Sequence, residues 1–133
     1  MSQANIDLIQ SMYDAFARGD GPSALAALDP AIVWNEAENF PYADRNPYIG
    51  PLAVAEGIFG RVATEWDGFR VNVAEILDAG DTVVALGRYT GKYKASGATL
   101  DAQFAHVWRV QNGKVIGLQQ YADTAQATRV VTG

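Results

Sequence analysis

The sequence predicts an α+β fold: a cone-shaped, curved antiparallel or mixed sheet wrapped around about three helices, enclosing a deep pocket. Three observations carry this. Apolar residues recur at helical spacing in the first half of the chain. They alternate with period two in the second half, between tight turns. The last two of these strands are apolar on both faces, which calls for cover on both sides.

The helices come first. From about Asn5 to Arg18, Ile6, Ile9, Tyr13 and Phe16 form one apolar stripe with Met12 beside it. Gly19-Asp20-Gly21 ends the stripe, Pro22 suits the first position of a short second helix over Ser23 to Leu28, and Asp29-Pro30 stops that one. Ile32 to Glu38 reads as a strand with Ile32, Trp34, Glu36 and Glu38 on one face. An irregular segment, Asn39 to Gly50, is aromatic enough to be packed rather than free. Pro51 to Trp66 reads as a third helix, in which Gly57 and Gly60 permit close packing against a neighbour.

Strands follow at Phe69 to Leu77 and Thr82 to Tyr93, joined by Ala79-Gly80-Asp81. A second turn, Lys94 to Gly97, leads to the hairpin Phe104 to Thr124, centred on Asn112-Gly113. That dipeptide favours a two-residue turn with positive φ at both positions. Counting outward places Val110 opposite Val115, Trp108 opposite Gly117, His106 opposite Gln119, Phe104 opposite Tyr121 and Ala102 opposite Asp123. All of these would share the inner face. His106 and the level of Asp123 would then lie roughly 13 Å apart, too far for direct contact but within reach of one ligand. The tail after Thr124 carries no clear signal.

At 133 residues the chain suits one domain, residues 1–133, large enough for a real core. A net charge of −5 argues against nucleic acid and against anionic membrane surfaces as partners. One histidine and no cysteine leave no ligand set for a structural zinc, and there is no phosphate-cradling glycine loop or G-x-S-x-G elbow. No cofactor or metal is expected. The opening MSQANIDLIQ lacks the features of a signal peptide, and no apolar run approaches membrane-spanning length, so a cytoplasmic location is expected.

Candidate chemistry concentrates on the predicted inner face. His106 is an imidazole among aromatics, suited to moving a proton near neutral pH or to serving as a satisfied core residue. Asp123 is either a general base under an aromatic lid or a strand-end cap. Glu36 and Glu38 either enter the pocket about 7 Å apart, where like charges divide into acid and base, or lie beyond a strand that ends near Asn35. The expected lining includes Tyr13, Trp34, Tyr42, Phe104, Trp108 and Tyr121, with Tyr42 and Tyr121 offering hydroxyls to a ligand carbonyl. Arg88 shares a face with Val84, Leu86 and Thr90 and reads as a surface or interface ion-pair residue.

The segments WNEAENFPY, IGP, EWDGFRV, GDTVVALGRYTG and FAHVWRVQNGKVIGLQQYADT together resemble the SnoaL-like, ketosteroid-isomerase-like branch of the nuclear transport factor 2-like superfamily, over about Ile6 to Thr124. The resemblance implies a cone with a deep pocket and a homodimer joined through the outer sheet face. It also implies a metal-free acid–base residue, aspartate or histidine, at positions matching His106 and Asp123. The tyrosine and neutral acid of the isomerases proper have no matching pair in this chain. The expected activity is isomerisation, cyclisation or dehydration of a small apolar carbonyl compound. His106 would be the proton shuttle or an orienting donor, and Asp123 or Glu36 the base. The alternative is a non-catalytic protein that binds a small apolar ligand.

Overall fold

The computed structural model describes residues 3–133. Helix α1 (Gln3–Ala17) buries Ile9, Met12 and Ala15. Helix α2 (Gly21–Ala26) starts on Asp20, whose carboxylate accepts from the Ser23 N–H at 3.1 Å and the Ser23 hydroxyl at 2.6 Å. Strand β1 (Leu28–Asn35) leads through a 3₁₀ turn (Pro41–Arg45) to the short β2 (Tyr48–Ile49). The predicted third helix is three consecutive pieces: α3 (Pro51–Val54), a π-helical turn (Ala55–Phe59) and α4 (Gly60–Glu65). Long strands β3 (Trp66–Ala79), β4 (Thr82–Tyr93), β5 (Thr99–Gln111) and β6 (Lys114–Ala122) follow. The tail, silent in the sequence, is a helix, α5 (Thr124–Thr132).

The six strands form one mixed sheet in the order β2-β1-β6-β5-β4-β3, with β1 parallel to β6 and the other pairs antiparallel. The α+β class and the mixed, curved sheet agree with expectation. Its inner face carries Tyr89 from β4, Phe104, His106 and Trp108 from β5, and Leu118 and Gln120 from β6, all buried. No helix among the described residues is long and apolar enough to cross a membrane.

The hairpin register departs from the count. Gln111 pairs with Lys114 and Val110 with Val115, as a two-residue loop requires, and Asn112 and Gly113 both have positive φ. The next pair is Arg109 with Gly117, so Ile116 is skipped in a β-bulge. Beyond it, Trp108 faces Leu118 and His106 faces Gln120. The reason lies in burial. Val115, Leu118 and Gln120 are all buried, and an odd step between 115 and 118 can be turned inward only by an extra residue. The slip reverses the second half of β6 and sends Tyr121 outward.

Two glycines are fixed by close approach. A Cβ on Gly57 would sit 2.3 Å from the Tyr48 ring, so the π-helical turn accepts that ring only as glycine. A Cβ on Gly87 would lie 2.1 Å from the Asn72 carbonyl oxygen and 2.8 Å from the Phe104 ring, which packs across β4 there. Gly60, also expected to allow close packing, is exposed.

Candidate active site

An apolar cavity opens between the inner sheet face, α1 and the helical segment 51–65. Met12, Tyr13 and Phe16 come from α1, Ile58, Phe59 and Val62 from the helical segment, and Trp34, Trp108 and Leu118 from the sheet. Its volume is about 80 Å³. Into this apolar lining come a few polar side chains: Tyr13, Glu36, Tyr42, Tyr89, His106 and Gln120.

Glu36 lies one residue beyond the end of β1, yet it is only 4% exposed. Its backbone is clamped by Asn46, which accepts from the Glu36 N–H at 2.9 Å and donates to the Glu36 carbonyl at 2.8 Å. Its carboxylate accepts from the Trp34 indole N–H at 2.9 Å. Burial pushes its pKa from the usual 4.5 up to about 7, against smaller lowering effects from the Trp34 hydrogen bond and the Arg61 cation. A carboxyl poised there can give or take a proton at neutral pH.

His106 faces the cavity as expected and is fully surrounded. Its Nδ1 is 2.6 Å from the Tyr13 hydroxyl and its Nε2 is 2.5 Å from the Tyr89 hydroxyl. Burial lowers its pKa to about 3, so the imidazole is neutral. The chain continues at both ends. The Trp108 indole N–H donates to the Tyr13 oxygen at 2.8 Å, and the Gln120 amide donates to the Tyr89 oxygen at 2.7 Å. Gln120 is itself oriented by the Ala37 N–H, which donates to its carbonyl oxygen at 3.0 Å. Burial pushes both tyrosine hydroxyls above their usual range, so they remain protonated.

The remaining expected site residues divide. Tyr13, Trp34, Tyr42 and Trp108 line the cavity. The Tyr42 hydroxyl is already engaged, donating to Glu65 at 2.5 Å and accepting from the Trp66 indole at 3.0 Å, with the Arg61 guanidinium over its ring. Phe104 points inward but lies behind the lining, stacked on Tyr89 and His106 with ring centroids 4.6 and 4.2 Å away. Tyr121 is 57% exposed on the outer face, a consequence of the bulge at Ile116. Asp123 is exposed as well, and its carboxylate caps α5 by accepting from the Gln126 N–H at 3.1 Å. It does not reach the cavity. Glu38 is exposed because β1 ends at Asn35. Arg88 is a surface ion-pair residue, 2.7 Å from Asp101.

Sequence reading missed Tyr89 and Gln120. Tyr89 was legible in the alternation Val83, Ala85, Gly87, Tyr89 along β4, the face opposite Arg88. Gln120 was hidden by the bulge. Among the described residues, no group of three His, Cys, Asp or Glu side chains comes together that could hold a metal ion.

The SnoaL-like domain family matches residues 9–118, most of the chain. This protein belongs to the SnoaL-like family. Solved relatives of the same fold cover the chain almost end to end. An NTF2-like protein from Burkholderia thailandensis E264 is 34% identical, with 98% of each chain covered and a TM-score of 0.91. An NTF2-like protein of unknown function from Burkholderia pseudomallei K96243 is 30% identical over the whole of both chains, with a TM-score of 0.89. TerC, co-crystallised with polyporic acid, is 24% identical over 98% of this chain and 100% of its own, with a TM-score of 0.86; that likeness is one of fold. No protein of curated function matches the sequence.

Proposed function

We propose that this SnoaL-like protein is a cofactor-independent enzyme that moves a proton on a small, apolar, carbonyl-bearing compound, in the manner of an isomerase or cyclase. The observation that carries this reading is Glu36: a buried carboxyl in an apolar cavity, with its pKa near neutrality. A carboxylate so placed removes a proton from carbon next to a carbonyl. The C–H electron pair moves into the new C=C bond, the carbonyl oxygen takes up the negative charge, and Glu36 returns the proton at the same or another carbon. The oxygen is stabilised by a tyrosine hydroxyl of the His106 network, in a site whose low polarity strengthens that bond. His106 itself holds the hydroxyls and does not touch the ligand, since both its nitrogens are engaged. Apolar walls with three indoles favour a flat, largely hydrocarbon body.

Deuterium uptake by 2-tetralone, a flat bicyclic ketone with acidic α-protons, tests this reading. Uptake in heavy water, followed by proton NMR, is expected to be faster with the protein and to fall about 100- to 10,000-fold in Glu36→Gln. Binding of 2-tetralone with no acceleration over buffer would overturn it and favour a plain binding protein.

A second copy of the chain is proposed for the outer face, where Leu77, Val84 and Val107 form a row across β3, β4 and β5 and Leu77 is 44% exposed. Sedimentation of a Val107→Lys variant tests this: a lighter species than the parent is expected, and an unchanged one contradicts it.

A further inference from the structure

The His106 network holds a fixed number of protons. Two donor-only groups close its ends. The Trp108 indole can only donate to Tyr13. The Gln120 amide nitrogen can only donate to Tyr89, because the Ala37 N–H fixes the other end of that amide as the acceptor. Each tyrosine oxygen therefore already receives one hydrogen. Two contacts remain, Tyr13 with Nδ1 and Tyr89 with Nε2. Three protons are available for them: two hydroxyl protons and the single N–H of a neutral imidazole.

Two contacts use two protons, so one hydroxyl proton has no acceptor within the network. If the ring proton is on Nδ1, it goes to Tyr13, Tyr89 donates to Nε2, and the Tyr13 proton is surplus. If the ring proton is on Nε2, it goes to Tyr89, Tyr13 donates to Nδ1, and the Tyr89 proton is surplus. Both tyrosines line the cavity.

We infer that the His106 tautomer selects which of Tyr13 and Tyr89 donates a hydrogen bond to the bound molecule, and that the pocket recognises a ligand with one hydrogen-bond-accepting oxygen. This deepens the function proposed above and rests on the cavity being a ligand site. The ligand class is a flat apolar molecule with a carbonyl or enolate oxygen. Its oxygen locks one tautomer. A hydrocarbon of the same shape locks neither.

The single histidine makes the test direct. Nitrogen-15 NMR of the His106 ring is recorded on the full chain with 2-tetralone and with tetralin, its hydrocarbon counterpart. In the 2-tetralone complex one tautomer is expected, and it names the donor. A proton on Nδ1 requires Tyr13→Phe to weaken 2-tetralone binding about tenfold while Tyr89→Phe leaves it nearly unchanged; a proton on Nε2 requires the reverse. A mixed tautomer in the complex, or loss of binding in the variant that the tautomer does not name, overturns the inference.

Without ligand, Trp108→Phe removes a donor from the Tyr13 oxygen and should draw the ring proton towards Nδ1. Gln120→Leu removes the donor to Tyr89 and should draw it towards Nε2. A tautomer balance that both variants leave unmoved also overturns the inference. If neither 2-tetralone nor tetralin binds, the pocket reading itself fails, and the two ligand-free variants still decide the proton count.

Discussion

The Trp34 indole N–H and the Glu36 carboxylate, two residues apart in sequence, meet at 2.9 Å inside the cavity. Trp34 is the last inward residue of β1, and Glu36 turns inward just past the strand end. The indole is the one neutral donor that favours the ionised carboxyl, while burial opposes it. Proton chemistry at this site therefore depends on a contact between near neighbours, held from behind by Asn46.

Trp34→Phe removes that donor and keeps an aromatic wall. The Glu36 pKa is then expected to rise above its present value near 7. The alkaline-rising limb of ketone α-proton exchange should move to higher pH with it. A limb that stays in place would show that the indole does not act on Glu36.

Stability should depend on pH through two groups of opposite sign. Glu36 is raised from 4.5 to about 7, so between those values the folded state holds a proton that the unfolded chain has released, and stability falls as pH rises. His106 is lowered from 6.5 to about 3, so between those values the unfolded chain holds the extra proton, and stability rises with pH. The two oppose each other from about 4.5 to 6.5. Glu36→Gln removes only the first. Its stability relative to the parent should grow from pH 4.5 to 7 by about 3 kcal/mol, taking about 1.4 kcal/mol per pH unit. Urea unfolding across this range reads the difference, and a constant offset between the two proteins would contradict it.

Asp123→Ala should cost about 1 kcal/mol through loss of the α5 cap, and leave 2-tetralone binding and exchange unchanged. Thermal unfolding beside the exchange assay separates the two effects. A large loss of exchange in a folded Asp123→Ala protein would restore this residue to the site.

The fate of Asp123 shows where the sequence was readable and where it was not. Helical spacing placed Tyr13 on the cavity, and strand alternation placed His106, Trp34 and Trp108. Both signals are local, and both survive small errors in element ends. Counting across the hairpin puts Tyr121 and Asp123 on the inner face, and one skipped residue, Ile116, inverts the result. A bulge leaves no mark in a period-two pattern when both faces of the strand are apolar. Gln120 was lost for the same reason. The helix α5 was missed because nine residues with four apolar positions give a weak pattern, although Asp123 at its start is an ordinary cap. Glu36 sat between two readings; its burial is decided by Asn46, ten residues further on, which no local pattern reports.

Gly57→Ala probes the packing of the π-helical turn against Tyr48. The added methyl would meet the Tyr48 ring at 2.3 Å, and that ring's hydroxyl bonds Arg61 at 2.7 Å and the Tyr42 backbone carbonyl at 2.5 Å. A loss of about 1–3 kcal/mol is expected from overpacking, read by urea unfolding. A neutral effect would mean that the Tyr48 ring moves aside freely.

The most direct test of the central claim is the titration of the Glu36 side-chain carboxyl by carbon-13 NMR, assigned by comparison with Glu36→Gln. The expected midpoint is near 7. A midpoint at the ordinary glutamate value, 4.5, would mean that water reaches the carboxyl freely, and Glu36 would lose its place as the base of this site.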